Sequence, residues 1–413
     1  MNAEQTIDCP DPEVLKQFLQ GKLEPPKLND CESHIGECPS CYETLRGLNS
    51  DDTLSSYVAK AMDDLGNADS IAYTDPVHAS IQHSDSVEVA SLVERLLNPE
   101  NLRRSSMSPG GAQPVHFSQA EAEMLADRGA EVLRYVTSDG DDSSLGCIGD
   151  YRLMKLIGAG STGVVFHAVD QTLDRSVALK VLRPSLGSIA RERFMAEARV
   201  AASIEHPNVV TIYQVGQVDR LAFIAMQWLP GQTLEVSLKQ DSLMQEDAVR
   251  QIASQIASGL VASHQKQLVH RDIKPANIWI CEGSGEVKIL DFGLARIGDD
   301  DPGLTATGML AGTPNFMSPE QARGLELDGR SDLFSLGCVM YRLTTGRLPF
   351  GSTTVLATLQ SIQNDQPSPP KTIRPEISAE LSDLTMSLLE KQPANRPESA
   401  IELVEMLLSL IHI

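Results

Sequence analysis

Apolar and polar positions follow two different periods between residue 151 and the C-terminal region. The stretches YRLMKLIGAG (151–160), GVVFHAV (163–169) and SVALKVL (176–182) are short and rich in β-branched or alternating residues, which predicts β-strands. The later stretches ARERFMAEARVAASI (190–204) and DAVRQIASQIASGLVASH (247–264) repeat apolar residues at helical spacing. Because strands come first and helices dominate afterwards, we expect an α+β fold with a small β-rich lobe followed by a larger α-helical lobe.

The part of the chain before residue 151 differs in composition from the part that follows. Residues 8–49 are helical in pattern and hold four of the seven cysteines. Residues 50–147 are acidic and polar, with weak helical patterns near 86–97 and 119–136 and a stretch rich in Pro, Gly and Ser at 98–114. Such a composition buries too little apolar surface to offset chain entropy. We therefore predict a small helical domain at 8–49, a mostly disordered linker at 50–147 and a large folded domain at 151–408.

Charge and apolar content exclude several classes of protein. The formal net charge of the 413 residues is −22, which opposes nonspecific binding to nucleic acid and to anionic membranes. No uninterrupted run of about 18 apolar residues occurs, so no membrane span is expected in this chain. The N-terminus lacks a basic region followed by an apolar one, so no secretory signal is expected. The sequence therefore predicts a cytoplasmic protein.

Three glycines form a G-x-G-x-x-G pattern after the first predicted strand, at Gly158, Gly160 and Gly163. Glycine lets a backbone approach a phosphate without an intervening side chain. A plain turn or a dinucleotide site has the same letters, but a dinucleotide site needs a helix at the third glycine. Val164 and Val165 follow here and favour a second strand. We predict a β-hairpin folded over phosphates.

Strand alternation puts Ala178 and Lys180 on one face of the next predicted strand. A small residue there would admit a flat ring, and the ammonium group would reach phosphates. Glu197 on the following predicted helix would hold Lys180 in place by an ion pair. The alternative is an ordinary strand lysine that faces water and a surface glutamate.

Polar residues crowd together in the stretch HRDIKPANIWI at 270–280. Asp272 would accept a proton from a hydroxyl nucleophile, Lys274 would neutralise a phosphoryl group in transfer, and Asn277 would offer an oxygen to a metal ion. Asp291 comes directly after the strand-like residues 288–290, and a carboxylate there suits Mg²⁺, which prefers oxygen ligands plus substrate phosphates. Phosphoryl transfer depends mainly on positioning and charge neutralisation, which explains why these groups gather.

Residues 151–408 resemble a bacterial Hanks-type serine/threonine protein kinase, because five motifs occur in that family's order. They are G-x-G-x-x-G-x-V (158–165), V-A-L-K (177–180), H-R-D-x-K-x-x-N (270–277), D-F-G (291–293) and S-P-E (318–320). The resemblance implies the two-lobed kinase fold, ATP and Mg²⁺ as cofactors, and proteins as substrates. It implies that Asp272 is the catalytic base, assisted by Lys274, Lys180 and Glu197.

The resemblance also implies the binding residues. Asn277 and Asp291 would hold Mg²⁺. Met226 would lie at the back of the adenine pocket, and the backbones of Gln227 and Leu229 would bond the adenine edge. The full set expected around ATP is Ile157, Gly158, Ala159, Gly160, Ser161, Thr162, Gly163, Val165, Ala178, Lys180, Met226, Gln227 and Leu229. Glu320 would pair with Arg396, and Asp332 would brace the catalytic loop.

Lys274 and Thr313 resemble the serine/threonine class, since tyrosine kinases usually differ at both places. Thr305 and Thr307 lie between the D-F-G and S-P-E motifs. A phosphate there would meet Arg271 through charge-assisted hydrogen bonds, so we predict autophosphorylation at one or both threonines. The alternative is two solvated loop threonines.

Two other functions use similar motifs. A signalling scaffold that binds ATP without turnover would be favoured by loss of Lys180, Asp272 or Asp291, and none is lost. A small-molecule phosphotransferase shares the base and metal pattern. The segment GTPNFMSPEQ at 312–321, which would dock a peptide, argues against that reading.

The N-terminal stretch CESHIGECPSC at 31–41 has metal-ligand spacing in His34, Cys38 and Cys41. The stretch resembles a zinc-binding anti-sigma domain, whose upstream ligand falls about where Cys9 lies; Cys31 is the alternative fourth ligand. Reduced, structurally idle cysteines or a redox pair are the other interpretations. The resemblance implies a sigma factor or another protein as a docked partner.

Overall fold

The computed structural model describes residues 128–140, 143–160, 162–240, 243–292, 314–352 and 354–410. The predicted domain at 8–49 lies outside these ranges. So do several residues singled out above, namely Cys9, His34, Cys38, Cys41, Ser161, Thr305 and Thr307.

A six-stranded antiparallel sheet forms the N-terminal lobe of the described part. Its strands are β1 (Cys147–Ile148), β2 (Tyr151–Ala159), β3 (Gly163–Asp170), β4 (Arg175–Leu182), β5 (Ile212–Val218) and β6 (Leu221–Gln227), in the order β1-β2-β3-β4-β6-β5. The three strands predicted from alternation are β2, β3 and β4. Val177, Leu179 and Val181 alternate along β4 and have no exposed surface, so one face of the sheet forms the core of this lobe.

The folded lobe begins earlier than the predicted start at residue 151. Residues 128–133 are helical, and Val132 and Leu133 are buried against the sheet together with Leu145 and Ile148. Strand β1 pairs with the edge of β2. This corrects the prediction of a mostly disordered linker for the described residues 128–140 and 143–147. The segment has too few apolar residues to form a core of its own, but the finished sheet supplies the surface that covers them.

Helix α1 (Gly187–Ala201) packs across the other face of the sheet, as the periodicity of residues 190–204 predicts. It buries Ala190, Phe194 and Ala198 against Ala222 and Ile224 of β6. A short 3-10 turn, Pro184–Leu186, connects β4 to this helix. Leu182 of β4, the strand that carries Lys180, belongs to the same buried cluster.

A larger helical lobe follows, as the sequence predicts. Its helices are α2 (Leu234–Gln240), α3 (Glu246–Gln265), α4 (Pro319–Ala322), α5 (Gly329–Thr345), α6 (Val355–Asn364), α7 (Pro370–Ile373), α8 (Ala379–Leu388) and α9 (Ala400–Ser409). The predicted helical spacing of apolar residues on α3 is observed: Val249, Ile256 and Leu260 are fully buried among residues of α5 and α9, and Ile252 is partly buried against the same core. In the described part of the chain, no helix combines the length and the apolar character needed to span a bilayer.

A small sheet in this lobe frames the catalytic motifs. Its antiparallel strands are β7 (Gly231–Thr233), β8 (Ile278–Cys281) and β9 (Val287–Ile289). The H-R-D loop leads directly into β8, and Asp291 follows β9. Because β8 and β9 are hydrogen-bonded neighbours, the ends of these two segments are brought together. The α+β prediction with a β-rich lobe before a helical lobe is thus confirmed for the described residues.

Candidate active site

The glycine-rich stretch forms the turn of the β2–β3 hairpin. Gly158 lies opposite Val165 in the strand pairing, and the Gly160 N–H donates to the Gly163 carbonyl at 2.7 Å. A Cβ on Gly163 would lie 2.5 Å from the Val181 carbonyl oxygen, so only glycine fits this position beside β4. The structure therefore has a hairpin here, as predicted, rather than the helix that a dinucleotide site requires.

Lys180 is buried on β4, and its ammonium group reaches the D-F-G aspartate. The distance from Lys180 Nζ to Asp291 Oδ1 is 2.9 Å, and the Lys180 side chain is only 8% exposed. Glu197 is half-buried on α1. Among the described residues, Lys180 forms its ion pair with Asp291. The predicted ion pair between Lys180 and Glu197 stays a prediction.

Asp272 is the centre of a compact hydrogen-bond network in the catalytic loop. Its Oδ2 atom accepts from Lys274 Nζ at 2.8 Å and from Asn277 Nδ2 at 2.8 Å. Asn277 Nδ2 also donates to the Asp272 carbonyl at 2.7 Å, which holds the loop closed on itself. Three residues that the sequence groups by type are thus in direct contact, and the Asp272 side chain remains 32% exposed to an incoming substrate.

The carboxylate of Asp332 holds the backbone of this loop in place by hydrogen bonds. Asp332 has no exposed surface, and its two oxygens accept from the backbone N–H groups of His270 and Arg271, each at 2.8 Å. His264 Nε2 on α3 lies 2.8 Å from the same carboxylate. Arg271 has a φ of +68°, a conformation that a non-glycine residue holds only when neighbouring bonds impose it. Asp332 supplies those bonds, in line with the role implied for it by the resemblance.

The buried His270 ring connects the H-R-D loop to the D-F-G segment. Its Nδ1 accepts from the Asp272 N–H at 3.2 Å, and its Nε2 lies 2.8 Å from the Leu290 carbonyl. These two partners require an acceptor at Nδ1 and a donor at Nε2, which is the neutral Nε2–H tautomer. The Leu290 N–H donates to the Asn277 carbonyl at 2.8 Å, and the Phe292 ring packs edge-on to His270 at 4.7 Å.

The donor set at this junction fits a divalent cation that prefers oxygen ligands. Because the amide nitrogen of Asn277 is committed to Asp272, its side-chain oxygen is turned to the other side, and it accepts no hydrogen bond among the described residues. Asp291 adds a carboxylate with a φ of +57°, held near Lys180. One amide oxygen and one carboxylate, with phosphate oxygens completing the shell, is an arrangement that Mg²⁺ accepts.

The predicted adenine-binding residues lie at the end of β6. Met226 on β6 pairs with Ala178 on β4 across the sheet. The Gln227 N–H already donates to the Thr211 carbonyl at 2.9 Å. The sequence predicts that the backbones of Gln227 and Leu229 bond the adenine edge. Because the Gln227 N–H is already used, Leu229 is the residue whose backbone N–H would donate to adenine.

Glu320 and Arg396 form a buried bidentate ion pair in the helical lobe. The two Arg396 nitrogens lie 2.7 and 2.9 Å from the two Glu320 oxygens, and Ser331 Oγ donates to Glu320 at 2.6 Å. Burial by itself would raise the pKa of Glu320, but the hydrogen bonds and charge of Arg396 and the Ser331 bond outweigh it and hold the pKa below its ordinary value. The pair implied by the resemblance is therefore confirmed.

One residue next to the site is absent from the sequence predictions. Gln321 belongs to a capping box in which its N–H donates to Ser318 Oγ and its side-chain oxygen accepts from the Ser318 N–H. Its side-chain nitrogen donates to the Arg271 carbonyl at 2.7 Å. The capping box is visible in the sequence as S-x-x-Q, but the bond to a loop fifty residues away is not.

Comparison with known proteins agrees with this geometry. The sequence model of the family described as "Protein kinase domain" matches residues 151–407. The serine/threonine-protein kinase pkn3 of Myxococcus xanthus is 43% identical over 261 residues, which cover 60% of this chain and 48% of that protein. The serine/threonine-protein kinase PknB of Mycobacterium leprae is 38% identical over 263 residues, covering 61% and 42% respectively. PknB of Mycobacterium tuberculosis is 38% identical over 264 residues, covering 61% and 41%.

The chain spans less than half of the length of these curated relatives. The match to the family, in contrast, covers more than half of this chain and includes both lobes and every motif of the site. The chain therefore belongs to the protein kinase family.

Proposed function

We propose that the protein is a serine/threonine protein kinase that transfers the γ-phosphoryl group of ATP to hydroxyl groups of other proteins. The observation that carries the proposal is the contact of Asp272 with both Lys274 and Asn277 at 2.8 Å, next to the Lys180–Asp291 pair. In this proposal Asp272 is the base, Lys274 is the cation beside it, and Asn277 and Asp291 are the oxygen donors for the metal. The two relatives' printed names support the serine/threonine class.

In the proposed reaction the serine or threonine hydroxyl oxygen attacks the γ-phosphorus. The bond from that phosphorus to the β–γ bridging oxygen breaks, ADP leaves, and the hydroxyl proton passes to Asp272. Lys274, held against Asp272, offsets negative charge on the phosphoryl group in transfer. Lys180 holds the α- and β-phosphates. Mg²⁺, when held by Asn277 and Asp291, supplies charge neutralisation to the phosphate oxygens.

Autophosphorylation at Thr305 or Thr307 is part of the proposal. It is supported by the surroundings of Arg271, whose side-chain Nε atom is buried and has no hydrogen-bond partner among the described residues. A buried guanidinium nitrogen without a partner is costly, and a phosphate group would provide one. We infer that a phosphate on this segment is bound by Arg271.

A transfer assay tests the proposal. The protein is incubated with γ-labelled ATP, alone and with a basic protein substrate, and modified residues are mapped by mass spectrometry. We expect label on serine and threonine and its loss in Asp272→Asn, while Asp383→Asn, which changes an exposed aspartate on α8, keeps wild-type transfer. Nucleotide binding without transfer would identify an ATP-binding scaffold instead. Transfer only to small hydroxyl compounds would identify a small-molecule phosphotransferase.

The N-terminal residues are proposed to bind zinc and to dock a protein partner, with a sigma factor as the expected class. The support is the spacing of His34, Cys38 and Cys41, with Cys9 as the preferred fourth ligand. Measuring zinc in the full-length protein, with Cys9→Ser beside Cys31→Ser, tests the ligand set. Equal zinc content in Cys9→Ser and in the wild type would exclude Cys9. We place the activity in the cytoplasm, where ATP is available.

A further inference from the structure

We propose that Gln321 is a positioning residue. Its side chain holds the peptide group that precedes the proposed base, Asp272, and links this peptide group to the end of the segment expected to dock the substrate. The inference rests on the proposed role of Asp272 as the base. The S-P-E motif ends in helix α4, and Gln321 lies in that helix directly after Glu320, which pairs with Arg396.

The side chain of Gln321 uses its two ends for two different purposes. Its Oε1 accepts from the Ser318 N–H at 2.9 Å and so completes the cap of α4. Its Nε2 donates to the Arg271 carbonyl at 2.7 Å, across a sequence separation of fifty residues. The cap requires only an acceptor, so the donor end is available for a contact that the helix itself does not need.

The carbonyl that receives this bond belongs to the peptide group between Arg271 and Asp272. Arg271 has a φ of +68°, and its N–H is fixed by Asp332 at 2.8 Å. The Asp272 N–H is fixed by His270 at 3.2 Å. With Gln321 on the Arg271 carbonyl, the backbone before the base is held at three successive polar groups, and this restrains the direction in which the Asp272 carboxylate projects.

The position of Gln321 gives the bond a second consequence. Residues 312–321 are the segment expected to dock a peptide, and α4 is its end. The Gln321–Arg271 bond forms only when α4 lies against the catalytic loop. Alignment of the base is thereby coupled to correct placement of the substrate segment, which is a contribution to rate rather than to nucleotide binding.

The variant Gln321→Glu separates the helix-capping role of the side chain from its bond to the Arg271 carbonyl. Gln321→Glu has nearly the same shape and keeps an acceptor for the Ser318 N–H, because Ser-x-x-Glu is itself a capping box. It loses the donor and sets a carboxylate oxygen against the Arg271 carbonyl, so the contact must open. We expect kcat to fall by about tenfold or more, because small displacements of a catalytic group are expensive in rate. The KM for ATP stays within about twofold of the wild type, since uniform binding of nucleotide is untouched.

Two further variants keep the inference falsifiable. Gln321→Met removes both polar ends and should lose as much kcat as Gln321→Glu. Ser318→Ala removes the hydroxyl cap but leaves the Ser318 N–H and the Gln321 side chain in place, so its melting temperature should fall and its loss of kcat should be clearly smaller than that of Gln321→Glu. Melting temperatures of all variants, measured by calorimetry, separate loss of fold from loss of rate.

Wild-type kcat in Gln321→Glu would overturn the inference. So would an equal loss of kcat in Ser318→Ala, because the helix cap and not the Arg271 bond would then be responsible. Asp272→Asn is assayed in parallel. If Asp272→Asn retains activity, the proposed base is wrong whatever the Gln321 variants do, so failure of the two proposals is distinguishable.

Discussion

Glu131 accepts hydrogen bonds from Arg183 Nε and from the Ser185 N–H, both at 2.8 Å. The first residue lies ahead of the matched family domain, and the other two form the turn that leads into α1. The segment before β1 is therefore fastened at two places, by its apolar residues to the sheet and by Glu131 to the entrance of the helix that carries Glu197.

Removal of the Glu131 carboxylate should weaken this attachment. We expect Glu131→Ala to lower the free energy of unfolding by about 1–3 kcal/mol, because the two hydrogen bonds that the carboxylate accepts, from the Ser185 N–H and from Arg183 Nε, are lost. Hydrogen exchange should rise in residues 183–190. Glu192→Ala, at an exposed position of α1, is the matched control. Equal stability of the two variants, measured by urea unfolding, would contradict the prediction.

Two glycines of the hairpin should respond differently to the same substitution. In Gly163→Ala the new Cβ would lie 2.5 Å from the Val181 carbonyl oxygen, so the pairing of β3 with β4 must shift. In Gly158→Ala the nearest atom is Val165 Cβ at 3.9 Å, which is ordinary contact. We expect Gly163→Ala to cost about 1–3 kcal/mol of stability and Gly158→Ala to cost much less. Thermal unfolding measures the stability of both variants. A larger loss of stability in Gly158→Ala would contradict the prediction that Gly163 is the position without room for a Cβ.

The Glu320–Arg396 pair should make stability depend on acid pH. The pKa of Glu320 is lower in the folded protein than its ordinary value of 4.5. The unfolded state therefore binds this proton more readily, so the stabilisation is complete above pH 4.5 and is lost as the pH falls through the folded pKa. Glu320→Gln leaves Arg396 buried without a countercharge and should cost about 3–5 kcal/mol at pH 7.

The control for the pair is Glu380→Gln, which neutralises an exposed glutamate on α8. Urea unfolding between neutral and acid pH should show the deficit of Glu320→Gln shrinking as wild-type Glu320 becomes protonated. If the loss of stability in Glu320→Gln, relative to the wild type, stays constant down to the most acid pH tested, the Glu320–Arg396 ion pair is not the cause of that loss.

Phosphorylation of the segment between the D-F-G and S-P-E motifs should raise activity through Arg271. After incubation with ATP, mass spectrometry of the wild type should find phosphate on Thr305 or Thr307. The double variant Thr305→Ala, Thr307→Ala should lose about tenfold in kcat, the equivalent of one charge-assisted hydrogen bond. Each single variant identifies the threonine that matters. Full activity of the double variant would show that the two threonines are ordinary loop residues.

Local physics explains what could be predicted about the fold. The hairpin at Gly158–Gly163 and the helices at 190–204 and 247–264 follow from alternation, from helical spacing and from the need for glycine beside a close backbone. The grouping of Asp272, Lys274 and Asn277, whose side chains are in direct contact, also follows from one short stretch. These features depend on neighbours within a few positions, and that information is present in the order of the residues.

Contacts between distant segments depended on the tertiary structure. Lys180 pairs with Asp291 and Gln321 reaches Arg271 because two lobes and a small sheet bring separate loops together, and no local pattern encodes such distances. The same holds for the described residues 128–140 and 143–148, whose few apolar side chains predict disorder in isolation. They are buried because an already packed sheet covers them, and a composition rule cannot include a surface that other parts of the chain provide. The sequence alone thus determined which groups are proposed to take part in phosphoryl transfer, and long-range packing decided how they are held and where the folded unit begins.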